Sequence, residues 1–211
     1  MEDRREVHEE QAASTKKRTG TVVALSILAG LLVIGIGVIL GYRAYITNEY
    51  RRYQLNYPEA IQAYSGEYDL DPYLVAAIIN VESGNRVDAE SGVGAKGLMQ
   101  IMPDTGEWIA QKLGESYSVD MLLQPDINIR FGCWYLRFLA DRFPERDTIL
   151  AAYNAGHGRV NGWLDDKAIS ADGRLLDNIP YPETHRYVEK VLHNYERYHA
   201  LYPDAFAHGA E

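Results

Sequence analysis

The stretch DPYLVAAIINVESG, Asp71 to Gly84, decides how the rest of the chain is read. Asp71 is a strong N-cap residue, Pro72 suits the first helical position, and Gly84 is placed to end the helix in the left-handed conformation. Between these signals nearly every residue before Glu82 is apolar, which predicts a buried helix carrying an ionisable carboxyl at its C-terminal end. A glutamate before a helix-ending glycine is more often solvated at the surface. If it is instead enclosed, apolar surroundings and the negative end of the helix macrodipole both raise its pKa. A carboxyl still protonated near neutral pH is what protonating a glycosidic oxygen requires.

The same punctuation recurs outward from this segment. A helix is predicted from Pro58 in YPEAIQAYSGEYDL, with others in PDTGEWIAQKLG, in DINIRFGCWYLRFLADRF after Pro125, in RDTILAAYNAG, and in PETHRYVEKVLHNYERYHALY before Pro203. Loops rich in Gly, Asp and Ser separate them, notably ESGVGAKG and DDKAISADGRLLDNIPYP. Period-2 alternation is scarce and no repeat occurs, so the expected fold class is all-α.

A chain of 211 residues with 46% hydrophobic residues has room for one domain and an appendage. The net charge of -9 argues against sequence-independent nucleic-acid binding, which needs a basic face. The single cysteine, Cys133, rules out an internal disulfide and reads as a buried small hydrophobe in FGCWYLRFL. The appendage is TGTVVALSILAGLLVIGIGVILGY, Thr19 to Tyr42, uncharged and long enough to cross a bilayer as a helix. A cleaved signal peptide is the alternative, but the run exceeds a typical signal core and no small-x-small site follows, which favours an uncleaved anchor. KKR at Lys16 to Arg18 abuts the span, whereas Arg43, Arg51 and Arg52 follow it loosely, so the expected orientation puts the N-terminus in the cytoplasm and the domain outside. Tyr42 and Tyr45 suit a headgroup-level anchor. The expected organisation is a tail at 1–18, a transmembrane helix at 19–42, a juxtamembrane stretch at 43–56 that either continues the helix or forms a stalk, a domain at 57–203 and a tail at 204–211.

Four segments then raise the catalytic reading of Glu82: VESG (81–84), GAKGLMQIMP (94–103), AYNAGHGRV (152–160) and IPYPETHRYV (179–188). Any one of them is weak alone. In this order and spacing they resemble the catalytic domain of the soluble lytic transglycosylase family, related to goose-type lysozymes, over about Tyr57 to Tyr202. The resemblance implies a lysozyme-like helical domain, peptidoglycan glycan strands as substrate, and Glu82 as the lone catalytic acid/base. Ser83 beside it joins the expected substrate-binding set. Ser91 falls where the family hydrogen-bonds the catalytic carboxyl. Gly97 permits close backbone approach, Met99 offers a polarisable wall, and Gln100 supplies a donor and an acceptor for sugar hydroxyls and N-acetyl groups. Taken alone, Leu98 to Met102 reads as core packing. Tyr153 and Asn154 match residues lining the family's cleft, although packing and capping before Gly156 is their plainer role. Glu183 matches a second cleft acid, but it also suits the first turn of a helix after Pro182. His185 follows PET where the family more often has arginine.

His157, His193 and His199 form no metal-ligand spacing, so neither a metal nor another cofactor is expected. No second carboxylate is evident as nucleophile or water-activating base beside Glu82. The resemblance therefore implies a substrate-assisted route ending in a 1,6-anhydromuramoyl product. A lysozyme-like hydrolase on the same fold, and a non-catalytic wall-binding or assembly protein, are the alternatives.

Overall fold

The computed structural model describes residues 2–207, with the side chains of residues 16–19, 22–23 and 25–207. The chain divides into two compact units, Met1–Arg52 and Tyr53–Glu211. The expected C-terminal tail is described as far as residue 207, and residues 1 and 208–211 lie outside the described residues.

The first unit is one helix, α1 (Glu2–Arg52). It does not stop at Tyr42: residues 43–52 of the expected juxtamembrane stretch continue the helix, and residues 53–56 lie beyond it. At 1.5 Å per residue, its 51 residues extend about 76 Å. Leu25 to Leu40 present exposed Leu, Ile and Val side chains, and the segment Leu25–Arg52 is long and apolar enough to cross a membrane.

The second unit contains α2 (Pro58–Glu67), α3 (Pro72–Ser83), α4 (Pro103–Leu113), a 3₁₀ helix (Val119–Leu123), α5 (Pro125–Ala140), α6 (Arg146–Ala155), α7 (His157–Asp165) and α8 (Pro182–Leu201). Among the described residues there is no sheet, only isolated bridges between Glu90 and Lys96 and between Lys96 and Ile101. Proline opens α2, α3, α4, α5 and α8, where its missing N–H has no helical partner to lose.

The centre is α3, packed against α2 and α8. Val75, Ala77, Ile78 and Ile79 are fully buried, which explains why this helix is apolar around most of its circumference. Burial of each isoleucine contributes about 1.5–3 kcal/mol, so an aspartate at Ile78 would abolish the core that holds Glu82 in place. Asp71 closes the N-terminal end by accepting from Tyr73 N at 2.9 Å, and Gly84 closes the other at φ 60. The helix α8 lies across both α3 and α6 and thereby joins the two elements that carry Glu82 and Asn154.

Candidate active site

Glu82 occupies the last turn of α3, one residue before Ser83 and two before the terminating Gly84. Burial pushes its carboxyl up from 4.5 to about 7, against smaller opposing effects from the Tyr187 hydroxyl and the Lys190 ammonium. The Tyr187 hydroxyl is itself buried and acts on the carboxyl without meeting full hydrogen-bond geometry. No carboxylate is among the groups that shift Glu82. The ionisation of Tyr153 is suppressed by burial first and by the Glu82 charge second, which puts its ring within electrostatic reach of this acid.

Tyr153 also lines a cavity of about 250 Å³ with Gln100, Ile101, Met102, Thr105, Tyr135 and Asn154. Its hydroxyl donates to Met99 O at 2.9 Å, fastening α6 to the loop that bears Gln100. This loop is tightly folded. Gln100 has φ 49, and both protons of its Nε2 are engaged, to Gly97 O at 2.9 Å and Ala89 O at 3.1 Å. Contrary to the sequence expectation of a donor and an acceptor, the amide thus offers the cavity only Oε1.

The other expected residues separate into cleft and scaffold. Asn154 is exposed on the cavity and accepts at Oδ1 from the Thr184 hydroxyl at 2.9 Å. The Ser91 oxygen accepts from Ala95 N at 2.9 Å and keeps its own proton available, and no hydrogen bond joins it to Glu82 among the described residues. Ser83 is buried and donates to Ile79 O at 3.0 Å, so its one proton is held within α3 instead of facing a sugar. Met99 is fully buried against Gly132, and its side chain is core rather than cleft wall. Gly97, at φ 78, approaches Leu122 O and the Asn128 side-chain amide so closely that a Cβ would collide with both, so its close approach is to the protein's own 3₁₀ helix and α5. Glu183 is exposed in the first turn of α8 and does not line the cavity, a position that suits the helix macrodipole. His185 pairs with Glu189 at 3.4 Å on the exposed face of the same helix.

Three contributors escape sequence reasoning. Asn128, buried in α5, accepts from Met99 N at 2.7 Å and donates to Leu122 O and Lys96 O, pinning the whole GLMQ loop through one fully used amide. Thr184 and Tyr187 lie inside the motif IPYPETHRYV, and their i, i+3 spacing with Val188 and Val191 is the signal that they face inward together. Among the described residues no three His, Cys, Asp or Glu side chains gather where they could hold a metal ion.

A sheetless domain with a desolvated glutamate at the end of its central helix, beside a polar and aromatic cleft, is an all-α, lysozyme-like architecture. The chain belongs to the Transglycosylase SLT domain family, which matches residues 59–174. It is 36% identical over 145 residues to the soluble lytic murein transglycosylase of Salmonella typhimurium, covering 67% of this chain and 22% of that protein. It is 31% identical over 135 residues to membrane-bound lytic murein transglycosylase C of Glaesserella parasuis, covering 59% and 37% respectively. Among solved structures, an inactive mutant of lytic transglycosylase Slt from Pseudomonas aeruginosa superposes with a TM-score of 0.62 at 34% identity, over 70% of this chain and 24% of that one. This chain therefore spans about a quarter of the length of the soluble relatives it matches.

Proposed function

We propose that this chain is a membrane-anchored lytic transglycosylase that cleaves the β-1,4 bond between N-acetylmuramic acid and N-acetylglucosamine in peptidoglycan. The observation that carries the reading is Glu82: one carboxyl, raised to about 7 by burial and within electrostatic reach of Tyr153, which lines a cavity with Gln100 and Asn154 that has no carboxylate in its lining. A retaining or inverting glycosidase would need that second carboxylate as nucleophile or base. With one group available, the protonated Glu82 gives its proton to the glycosidic oxygen and the N-acetylglucosamine end departs with it. The acetamido oxygen of the muramic residue stabilises the electron-poor C1. The Glu82 carboxylate then takes the proton of the C6 hydroxyl on the same sugar as that oxygen bonds to C1, which closes the 1,6-anhydro ring and restores the acid. Intramolecular attack gains from high effective concentration when the cleft holds the sugar in a near-attack shape. Ser91, whose proton is not engaged by the loop, is placed in this reading to orient the carboxyl.

The names of the relatives support the substrate class, and one of them is called membrane-bound. The exposed apolar face of α1 supports anchoring here. The KKR cluster supports a cytoplasmic N-terminus with the catalytic domain outside, in the periplasm or cell-wall space. Protease added outside intact spheroplasts should digest the domain, and full protection would reverse the topology. Chelators should leave turnover unchanged; loss of activity restored by zinc would contradict the single-acid route.

The deciding experiment gives the detergent-solubilised full chain purified sacculi and weighs the released muropeptides. Transglycosylation predicts products one water lighter than hydrolytic ones and resistant to borohydride. A pool dominated by borohydride-reducible ends would move the chain to the lysozyme-like reading, and no release at all would favour a wall-binding protein.

A further inference from the structure

The two amides that border the cavity are held in opposite senses by buried partners. Gln100 has both Nε2 protons bonded to Ala89 O and Gly97 O, and its Oε1 has no protein partner among the described residues. Asn154 is the reverse: its Oδ1 accepts from Thr184 at 2.9 Å, and its Nδ2 has no protein partner among the described residues. An amide side chain can otherwise present either end, since oxygen and nitrogen differ little in size. Here the choice is made for it from outside the cleft. The agent at Asn154 is the hydroxyl of Thr184, a residue only 3% exposed, in the first turn of α8, on a helix different from the α6 that carries Asn154 itself.

We propose that Thr184 is a positioning residue that fixes Asn154 as a hydrogen-bond donor to the substrate, so that the cavity offers one N–H donor and one C=O acceptor of set polarity. This deepens the peptidoglycan reading and rests on it for the identity of the ligand. A secondary amide carries a carbonyl to accept from Asn154 Nδ2 and an N–H to donate to Gln100 Oε1, so the pair fits the acetamido group of an N-acetylated sugar. A free 2-amine has no carbonyl oxygen, and in its protonated form it can only donate. It would leave the Asn154 N–H unsatisfied in a partly desolvated site, at a cost that makes de-N-acetylated glycan a poorer ligand.

The test measures binding with the full chain in detergent, carrying Glu82→Gln so that nothing is cut. The probes are tetra-N-acetylchitotetraose and the same tetramer after de-N-acetylation. Thr184→Val should weaken binding of the acetylated probe by up to about tenfold, the worth of one well-placed hydrogen bond. Thr184→Ser should restore it, because the hydroxyl is what matters. In an Asn154→Ala background Thr184→Val should add no further loss, since Thr184 acts through Asn154. The de-N-acetylated probe should bind weakly and equally to the chains with Thr, Val or Ser at position 184.

Wild-type affinity in Thr184→Val, or the same loss with and without Asn154, would overturn the assignment. Asn154→Asp guards against misfolding of the valine variant. It lies at an exposed position, keeps an acceptor for Thr184 and removes the donor, so undiminished affinity there would also overturn it. The two readings fail separately. If the wild-type chain cuts no glycan yet the coupling between Thr184 and Asn154 is measured, the proposed reaction falls and this assignment stands. If it cuts and the coupling is absent, the assignment falls alone.

Discussion

The helix α3 carries an acidic side chain at each end, and the two are treated in opposite ways. Asp71 at the N-terminal end accepts from Tyr73 N at 2.9 Å and from the Tyr195 hydroxyl at 2.6 Å, with His199 Nε2 3.9 Å away. Glu82 at the C-terminal end has no made hydrogen bond among the described residues, and the hydroxyl facing it, that of Tyr187, is buried without a partner. A satisfied carboxylate at the positive end of a helix holds the fold together. A desolvated carboxyl at the negative end keeps its proton and is available for chemistry. The contrast teaches that well-made donors hold a carboxyl ionised and structural, whereas burial opposed only by the Tyr187 hydroxyl and the Lys190 charge raises its pKa, as the proposed acid requires.

Removing the reactive acid should give the largest effect. Glu82→Gln has no proton to transfer and should lower turnover on sacculi by about 10²–10⁴-fold while the helical circular-dichroism spectrum stays unchanged. Turnover near wild type would dissolve the distinction between the two ends.

The same variant sharpens the comparison through pH. With a folded pKa of about 7 against an ordinary 4.5, Glu82 holds its proton more tightly in the native chain than in the unfolded one. Stability is therefore lost as pH rises through the window from 4.5 to 7, where the unfolded state sheds that proton first. Glu82→Gln escapes this loss. It should match the wild type below pH 4.5 and exceed it by about 1–3 kcal/mol above pH 7, measured by denaturant unfolding across pH. An advantage independent of pH would mean that the carboxyl is not desolvated.

At the other end, Asp71→Ala removes a cap and the Tyr195 bond, and should cost about 1–2 kcal/mol of stability. Turnover below the melting range should be retained. The smallest effect belongs to Ser83, adjacent to the acid but bonded inward to Ile79 O. Ser83→Ala should leave turnover within about twofold of wild type, since the lost bond is internal to a helix that has its own ladder. A large fall in KM-normalised turnover would return Ser83 to the cleft.

Much of this arrangement is legible in the chain itself, for physical reasons that also mark where reading stops. Helices with a proline at the start and a glycine at the end, such as α3 and α4, carry their boundaries in covalent constraints that no tertiary contact needs to supply. The helix α7 does not. Its sequence HGRVNGWLD contains Gly158 and Gly162, which lower its propensity, and Gly156 at φ 89 ends one helix while opening the next. The 3₁₀ helix at Val119–Leu123 is too short to show a period. Glu82 stands out because a charge in an apolar run is conspicuous. Met99, Gly97 and Ser83 share the same motifs, yet motif membership does not say which side chains face the cleft and which hold the loop in place. Asn128 and Thr184 act from helices distant in sequence from the residues they hold, through side-chain hydrogen bonds whose partners no local pattern names.

The central claim is that Glu82 retains a substantial protonated fraction near neutral pH because its burial outweighs the opposing Tyr187 hydroxyl and Lys190 charge. The most direct test is a carbon-13 NMR titration of the glutamate carboxyls in the detergent-solubilised full chain, with Glu82→Gln identifying the resonance by its loss. The resonance should titrate with a midpoint of about 7. A midpoint near the ordinary 4.5 would contradict the account, because Glu82 would then be a solvated carboxylate with no proton to give at neutral pH.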